Sequence, residues 1–195
     1  MLAIVPGKTY PRTDVPDQEA RYPGRCRERN LAAQEGRGIR VTIEPGSEQF
    51  TDILLGEQQQ DPYAQCGDML LRDRLGNWTY QFAVTVDDVE QHVDLVIRGQ
   101  DLLASTGRQI RLARMLGRSR PPGYMHHPLI RHGSGVNLSK ANRDTGVHDL
   151  RAAGFTPGWV LGQADYLTGL LESSRELQAS DLAGLFVREQ DTLWS

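Results

Sequence analysis

Hydrophobic and polar positions alternate most regularly between Trp78 and Val86. Trp78, Tyr80, Phe82, Val84 and Val86 are interleaved with Thr79, Gln81, Ala83 and Thr85. This period of two predicts a strand with one buried face. Asp87-Asp88 closes the run, because two adjacent carboxylates fit poorly inside a sheet. A second apolar run, Val93 to Ile97, is followed by Arg98-Gly99. A buried strand that ends on an arginine is how an open α/β sheet brings charge to a ligand crevice. The question for function is what Tyr80, Asp87, Asp88 and Arg98 face.

The other elements flank this stretch. Ile39 to Ile43 alternates as a short strand that Pro45-Gly46-Ser47 ends. Phe50-Thr51-Asp52 and the apolar residues after it make another short piece, Gln58 to Tyr63 reads as a polar loop, and Gly67 to Arg72 as a third strand. Arg74 to Asn77 is a turn, predicting a hairpin with the strand that begins at Trp78. Beyond Gly99, Asp101 or Ser105 can cap a helix whose apolar stripe is Leu102, Leu103, Ile110, Ala113 and Leu116, with Gly117 as its stop. Tyr124 to Ile130 reads as a strand with His126 and His127 on opposite faces. Asp149 to Ala153 is helical up to Gly154, Pro157 starts a longer helix through Leu171, and Ser180 to Val187 is a last short one.

Composition narrows the class. The chain has 195 residues, enough for one domain or a domain with an appendage. A net charge of −3 supplies no bulk attraction for nucleic acid, so an RNA partner would need a local basic patch. Arg108, Arg111, Arg114, Arg118 and Arg120 form either such a patch or a solvated helix face. Two distant cysteines, Cys26 and Cys66, give no disulfide framework. No run reaches the roughly 18 apolar residues of a membrane span, and the start lacks a signal-peptide pattern, so a cytoplasmic protein without a membrane partner is expected.

Two further segments carry candidate chemistry. Tyr22-Pro-Gly-Arg-Cys26 offers a phenol and a thiol, half of a four-donor zinc set. The segment from Arg131 to Asn142 contains Gly133, Gly135, Ser139 and Lys140. A glycine-containing loop with a lysine can close over a polyphosphate and neutralise charge that develops as it is cleaved.

In order and spacing, three segments resemble the second half of a class I glutamyl-tRNA synthetase catalytic core. They are Tyr80-Gln-Phe-Ala-Val-Thr-Val-Asp-Asp88, Arg98-Gly-Gln-Asp-Leu-Leu-Ala-Ser-Thr106, and Tyr124 to Ile130 followed by Asn137-Leu-Ser-Lys140. With the Tyr-Pro-Gly-x-Cys element at 22 to 26, the resemblance is to the short glutamyl-Q tRNA(Asp) synthetase family. These enzymes activate glutamate with ATP and attach it to the queuosine base of tRNA(Asp).

The resemblance implies an α/β fold, a partial Rossmann-like class I aminoacyl-tRNA synthetase catalytic core. It implies an insertion and connecting region at 1–60, the second half of the nucleotide-binding core at 61–146, and a helical C-terminal segment at 147–195. It makes Tyr80 and Arg98 the glutamate-binding pair. A guanidinium fork grips a carboxylate through two charge-assisted bonds, although Arg98 could instead pair with Asp87 or Asp88. It makes Asn137, Leu138, Ser139, Lys140 and Ala141 the ATP loop. Lys140 is the catalytic lysine, and Asn137 stands where the family has another. Substrates and partners would be glutamate, ATP with Mg, and tRNA(Asp). The family's zinc positions before Tyr22 and Cys26 fall on Lys8 and Tyr10, so Tyr22 and Cys26 are remnant ligands and no bound zinc is expected. The family's HIGH motif has no counterpart, which leads us to expect a truncated or late-started member. An exposed sheet edge would then invite self-association. A non-catalytic glutamate- or tRNA-binding protein and a fragment of an ordinary glutamyl-tRNA synthetase are the alternatives.

Overall fold

A computed structural model describes residues 21–29, 31, 32, 34–130, 145–182 and 184. The chain divides into two compact units: residues 12–127, and residues 1–11 with 128–195.

In the first unit the strands are β1 (Ile39–Val41), β2 (Glu48–Asp52), β3 (Gly56–Gln60), β4 (Met69–Arg72), β5 (Leu95–Gly99) and β6 (Gly123–His127). The helices are α1 (Pro62–Cys66), α2 (Tyr80–Glu90) and α3 (Thr106–Met115). Four strands form one sheet in the order β3-β2-β6-β5, while β1 and β4 pair separately. β2 and β3 are an antiparallel hairpin, and β5 and β6 run parallel through five paired positions, Leu95↔Gly123 to Gly99↔His127. Between β2 and β6 only Asp52 and Tyr124 are paired. The β5–α3–β6 crossover is a βαβ unit, the means by which parallel strands are joined.

α3 holds both cores together. Ile110 packs with Phe50 and Tyr124, flanked by Val96 and Leu103. Leu112 packs with Ile43, Cys66 and Met69, flanked by Val41, Tyr63 and Leu71. On the other side of β5, Leu95 and Ile97 remain exposed.

The alternating stretch is not a strand. It forms α2, with Asp87 and Asp88 in its last two turns rather than beyond an element's end. Thr85 is buried, Gln81, Phe82, Val84, Val86, Asp88 and Val89 are partly buried, and Ala83, Asp87 and Glu90 are exposed, a helical spacing that the same residues satisfy equally well. Packing of this face overrides the β-branched run Val84-Thr85-Val86. The turn after β4 forms as expected, with Asp73 accepting the backbone N–H groups of Leu75 and Asn77 at 2.8 Å. Of the predicted hairpin, the Arg72–Trp78 bridge and the bond from the Thr79 N–H to the Leu71 carbonyl at 2.8 Å survive.

Gln58 to Tyr63 is also not a loop. Gln58, Gln59 and Gln60 end β3, and Asp61 caps α1 by accepting the Ala64 N–H at 2.9 Å, with Pro62 in the first turn. Gln60 then does what Ser105 was expected to do. Its Oε1 accepts the Gly107 N–H at 2.9 Å, and its Nε2 donates to the Leu103 carbonyl at 2.8 Å. Ser105 makes no capping bond at the start of α3.

Gly67 joins α1 to β4 at φ +66°, a conformation open to glycine. A Cβ there would lie 2.0 Å from the Tyr22 carbonyl oxygen. Gly67→Ala is therefore expected to cost at least about 2 kcal/mol through strain and displacement of the Tyr22 backbone. Denaturant titration measures this, and a loss under about 0.5 kcal/mol would refute the close approach.

Next to Gly67, Arg27 grips the buried Asp68 through Nε at 2.9 and 3.0 Å. This bond holds the Asp68 carboxyl below the ordinary carboxylate value, against the opposing effect of burial. A depressed folded-state pKa stabilises the fold above the unfolded value, and that contribution is lost as pH falls through the folded one. Asp68→Asn is thus expected to lower the melting temperature at pH 7, with the difference from wild type closing in strong acid. Equal differences at pH 7 and in strong acid would rule out this linkage.

The second unit contains α4 (Val147–Ala152) and α5 (Pro157–Thr168). Gly154 at φ +86° follows α4, and the Thr156 hydroxyl caps α5 by accepting the Trp159 N–H at 3.0 Å. α5 ends at Thr168, short of the expected Leu171, because Gly169 takes up the left-handed conformation. Gly158 and Gly162 let the chain at Arg175–Leu177 lie directly on α5, and the Leu177 N–H donates to the Gly158 carbonyl at 3.0 Å. Of the expected final helix, residues 179–182 are helical and its end lies outside the described residues. Among the described residues no helix is long and apolar enough to cross a membrane.

Candidate functional site

The site is built around Arg98, the fourth residue of β5. Strand alternation turns Val96 and Arg98 toward the helices while Leu95 and Ile97 face away. Arg98 is only 9% exposed. Its Nε donates to His126 Nε2 at 3.0 Å, Nη1 to Gln109 Oε1 at 2.6 Å and Nη2 to Thr106 Oγ1 at 2.8 Å. Thr106 and Gln109, three residues apart in the first turn of α3, present one face to β5. Gln109 passes the network on through Nε2 to Gln81 Oε1 at 2.7 Å, and Gln81 Nε2 donates to Ser105 Oγ at 2.8 Å. This chain of amides connects the first turn of α2, where Tyr80 sits, to the guanidinium.

His126 is fully buried one position across from Arg98 in the sheet. An arginine N–H can only donate, so His126 Nε2 must be the accepting nitrogen. The proton then resides on Nδ1 and is donated to Asp52 Oδ2 at 2.6 Å. The same carboxylate accepts the His126 backbone N–H at 3.1 Å and, through Oδ1, those of Leu54 and Leu55 at 3.0 Å. Burial pushes the His126 pKa below its ordinary value, Asp52 opposes this, and the nearby Arg98 charge adds to it. The imidazole is therefore neutral.

Arg98 is consequently a buried cation held by neutral acceptors. Among the described residues no carboxylate lies within ion-pair distance of it; the expected alternative pairing with Asp87 or Asp88 does not form. Burial disfavours its charged form, while Tyr124, Tyr80 and Asp88 favour it. Asp88 itself is pushed up by burial, against the pull of Arg118 and Arg98. Tyr124, whose ring lies 5.6 Å from the guanidinium carbon, has its phenol pKa pushed up to about 12 by burial. Tyr80, at the start of α2, is 54% exposed, and its phenol favours the charged form of Arg98. Of the two residues, Tyr80 is exposed and Arg98 buried, and the amides of Gln81 and Gln109 link the start of α2 to the guanidinium.

Sequence reasoning did not single out Asp52, Thr106, Gln109 or a role for His126. The signals were present: a carboxylate directly precedes the apolar run Ile53-Leu54-Leu55 at Asp52, alternation in β6 puts His126 on the face of Tyr124, and helical spacing joins Thr106 to Gln109. The arginines of α3 are structural in part. Arg111 and Arg114 clamp the buried Glu48, the latter at 2.9 Å, and Arg118 donates to the carbonyls of Asp88 and Val93.

Asn137, Leu138, Ser139, Lys140 and Ala141 lie outside the described residues, as do Lys8 and Tyr10. At the remnant metal element, the Tyr22 hydroxyl accepts the Cys26 N–H at 2.9 Å, and Cys26 is an exposed free thiol. Hydrogen bonding with the Cys26 side chain raises the Tyr22 pKa. Zinc takes four donors in a structural site, and this pair supplies two. Among the described residues no three His, Cys, Asp or Glu side chains gather as a metal site.

The model of the family of class I tRNA synthetases (E and Q), catalytic domain, matches residues 9–177. The chain belongs to this family. Its fold is accordingly that of a class I synthetase catalytic domain, an α/β fold with a parallel sheet, and the family consists of aminoacyl-tRNA synthetase ligases. The chain is similar to the glutamyl-Q tRNA(Asp) synthetase of Bordetella bronchiseptica, with 51% identity over 65% of this chain and 40% of that one. It is 36% identical to the glutamyl-Q tRNA(Asp) synthetase of Nitratidesulfovibrio vulgaris over 87% of this chain and 54% of that one. The chain thus spans about half the length, or less, of these curated relatives. Among solved structures it is similar to a glutamate tRNA ligase from Elizabethkingia meningosepticum in complex with its amino acid. That likeness has 28% identity and a TM-score of 0.41, and covers 63% of this chain and 21% of that one.

Proposed function

We propose that this synthetase chain carries the glutamate-recognising part of a glutamyl-Q tRNA(Asp) synthetase. In this reading glutamate is activated with ATP and Mg, pyrophosphate leaves, and the glutamyl group passes to the queuosine base of tRNA(Asp). The observation that supports it is the Arg98 guanidinium, buried and gripped by neutral groups. A buried charge is costly unless an opposite charge completes it, and a substrate carboxylate does so. Tyr80 orients that substrate from the rim, and Lys140 in the 137–141 loop neutralises the ATP phosphates. The organisation into 1–60, 61–146 and 147–195 and a cytoplasmic location are parts of the same reading. Self-association is proposed through the outer edge of β5, a terminal strand of its sheet.

Glutamate-dependent ATP–pyrophosphate exchange tests the activity, and calorimetric titration of the chain with L-glutamate tests recognition. Tyr80→Phe is expected to weaken glutamate binding about 3- to 10-fold, the worth of one hydrogen bond of about 1 kcal/mol. An unchanged affinity would remove Tyr80 from the pocket. A second reading, glutamate binding without catalysis, is favoured by Asn137, which replaces a cation of the ATP loop. Binding without exchange is its signature, and exchange excludes it.

A further inference from the structure

We propose that Asp52 and His126 are positioning residues that aim the Arg98 guanidinium, and that glutamate recognition fails when His126 gains a proton. The first part concerns Arg98 alone; the second rests on the glutamate reading above.

A long side chain entering a pocket must lose its freedom before it can recognise a carboxylate with its fork. His126, Gln109 and Thr106 each hold one nitrogen of the planar guanidinium, and together they fix its position and plane. Of these three acceptors the imidazole of His126 is the one that a proton can convert into a donor. Its bond to Arg98 exists in one protonation state only. With Nδ1–H committed to Asp52, Nε2 has a lone pair aimed at Arg98. Asp52 enforces this tautomer because a carboxylate accepts and never donates when ionised. Asp52 is itself immobilised by the backbone N–H groups of Leu54, Leu55 and His126. The sequence of contacts thus runs from a rigid turn, through a carboxylate and an imidazole, to the substrate-facing cation. A second-sphere partner that fixes a histidine tautomer is a general way to orient the group beyond it.

Protonation reverses the contact. An imidazolium would place an N–H against the Arg98 N–H and a positive charge beside a buried guanidinium. The charged and titratable groups around His126 are Asp52 from β2, Arg98 from β5, and Tyr124 and His127 on β6; α3 contributes the neutral Thr106 and Gln109. Asp88 and Tyr80 of α2 act on Arg98 rather than on the ring. Of these only Asp52 favours the imidazolium, and burial outweighs it. A histidine with a depressed folded-state pKa stays neutral below the ordinary imidazole range. Its contribution is present above the unfolded value and is lost as pH falls through the folded one. Arg98 is therefore held in place at neutral pH and released on the acid side.

The test uses the 195-residue chain labelled with nitrogen-15 at histidine and arginine. At pH 7, His126 is expected to show a bare Nε2 and a protonated Nδ1, and the Arg98 Nε–H resonance is expected to shift with the imidazole as it titrates in acid. Alongside, L-glutamate affinity is measured from pH 8 downward in wild type and in His126→Gln, whose amide oxygen is an acceptor that does not titrate. Wild type is expected to lose at least 5-fold more affinity over the imidazole transition than His126→Gln, the comparison cancelling the titration of glutamate itself. A proton on Nε2 at pH 7, or an Arg98 resonance indifferent to the imidazole, overturns the positioning role without any ligand. The same acid loss in His126→Gln as in wild type overturns the pH switch. A bare Nε2 with a responsive Arg98 but no glutamate binding at any pH upholds the positioning and refutes the glutamate reading.

Discussion

Asp52→Ala is expected to destabilise the four-stranded sheet by about 3–5 kcal/mol, the range for removing one partner from a buried charged network. The carboxylate is 1% exposed and accepts from three backbone N–H groups and one imidazole, all of which would be left without a partner. Water cannot replace it readily, since His126 beside it is completely buried. Urea unfolding followed by far-ultraviolet circular dichroism measures the loss. Hydrogen exchange of the Leu54, Leu55 and His126 amides should quicken together in the variant. A loss under about 1 kcal/mol would show that the network is dispensable for folding.

Arg98→Lys is expected to weaken glutamate binding about 100-fold, equivalent to about 2.8 kcal/mol. The charge is kept, but an ammonium cannot offer parallel N–H groups to a carboxylate while also reaching His126, Gln109 and Thr106. The loss is expected in recognition more than in folding, because lysine retains the apolar stem and one cation. Calorimetric titration with L-glutamate reads the affinity. An affinity within about 3-fold of wild type would show that Arg98 acts as a point charge or not at all. Tyr80→Phe, with its smaller expected effect, separates the buried anchor from the exposed orienting group.

These residues differed in how plainly the sequence announced them. β5 and its arginine were legible, because a short apolar run followed by Arg-Gly has few other uses. The long alternation before it misled, because Phe82, Val86 and Val89 also lie on one helical face and only packing against α3 chooses between the two periods. β3 was hidden for a different reason. An edge strand needs no apolar face, and three consecutive glutamines gave no periodic signal, although Gln60 turned out to hold the start of α3. The network around Arg98 was least legible. Asp52, Thr106, Gln109 and His126 are separated by up to 74 positions, and nothing local distinguishes them from solvated polar residues. The motifs near Tyr80 and Arg98 carried the family, and the family model then matched most of the chain.

The join between β2 and β6 has one paired position, so the backbone ladder alone does little to prevent sliding. The grip of Asp52 on the His126 N–H supplies what the ladder lacks. If β2 slid by one residue, Thr51 or Ile53 would meet that N–H, and the pleat would turn the carboxylate to the opposite face. Such a molecule could keep most of its secondary structure and still have no acceptor for the imidazole proton. On the glutamate reading proposed above, alignment of the strands and readiness to bind would be achieved in the same event, and a mis-threaded copy would be inert rather than promiscuous.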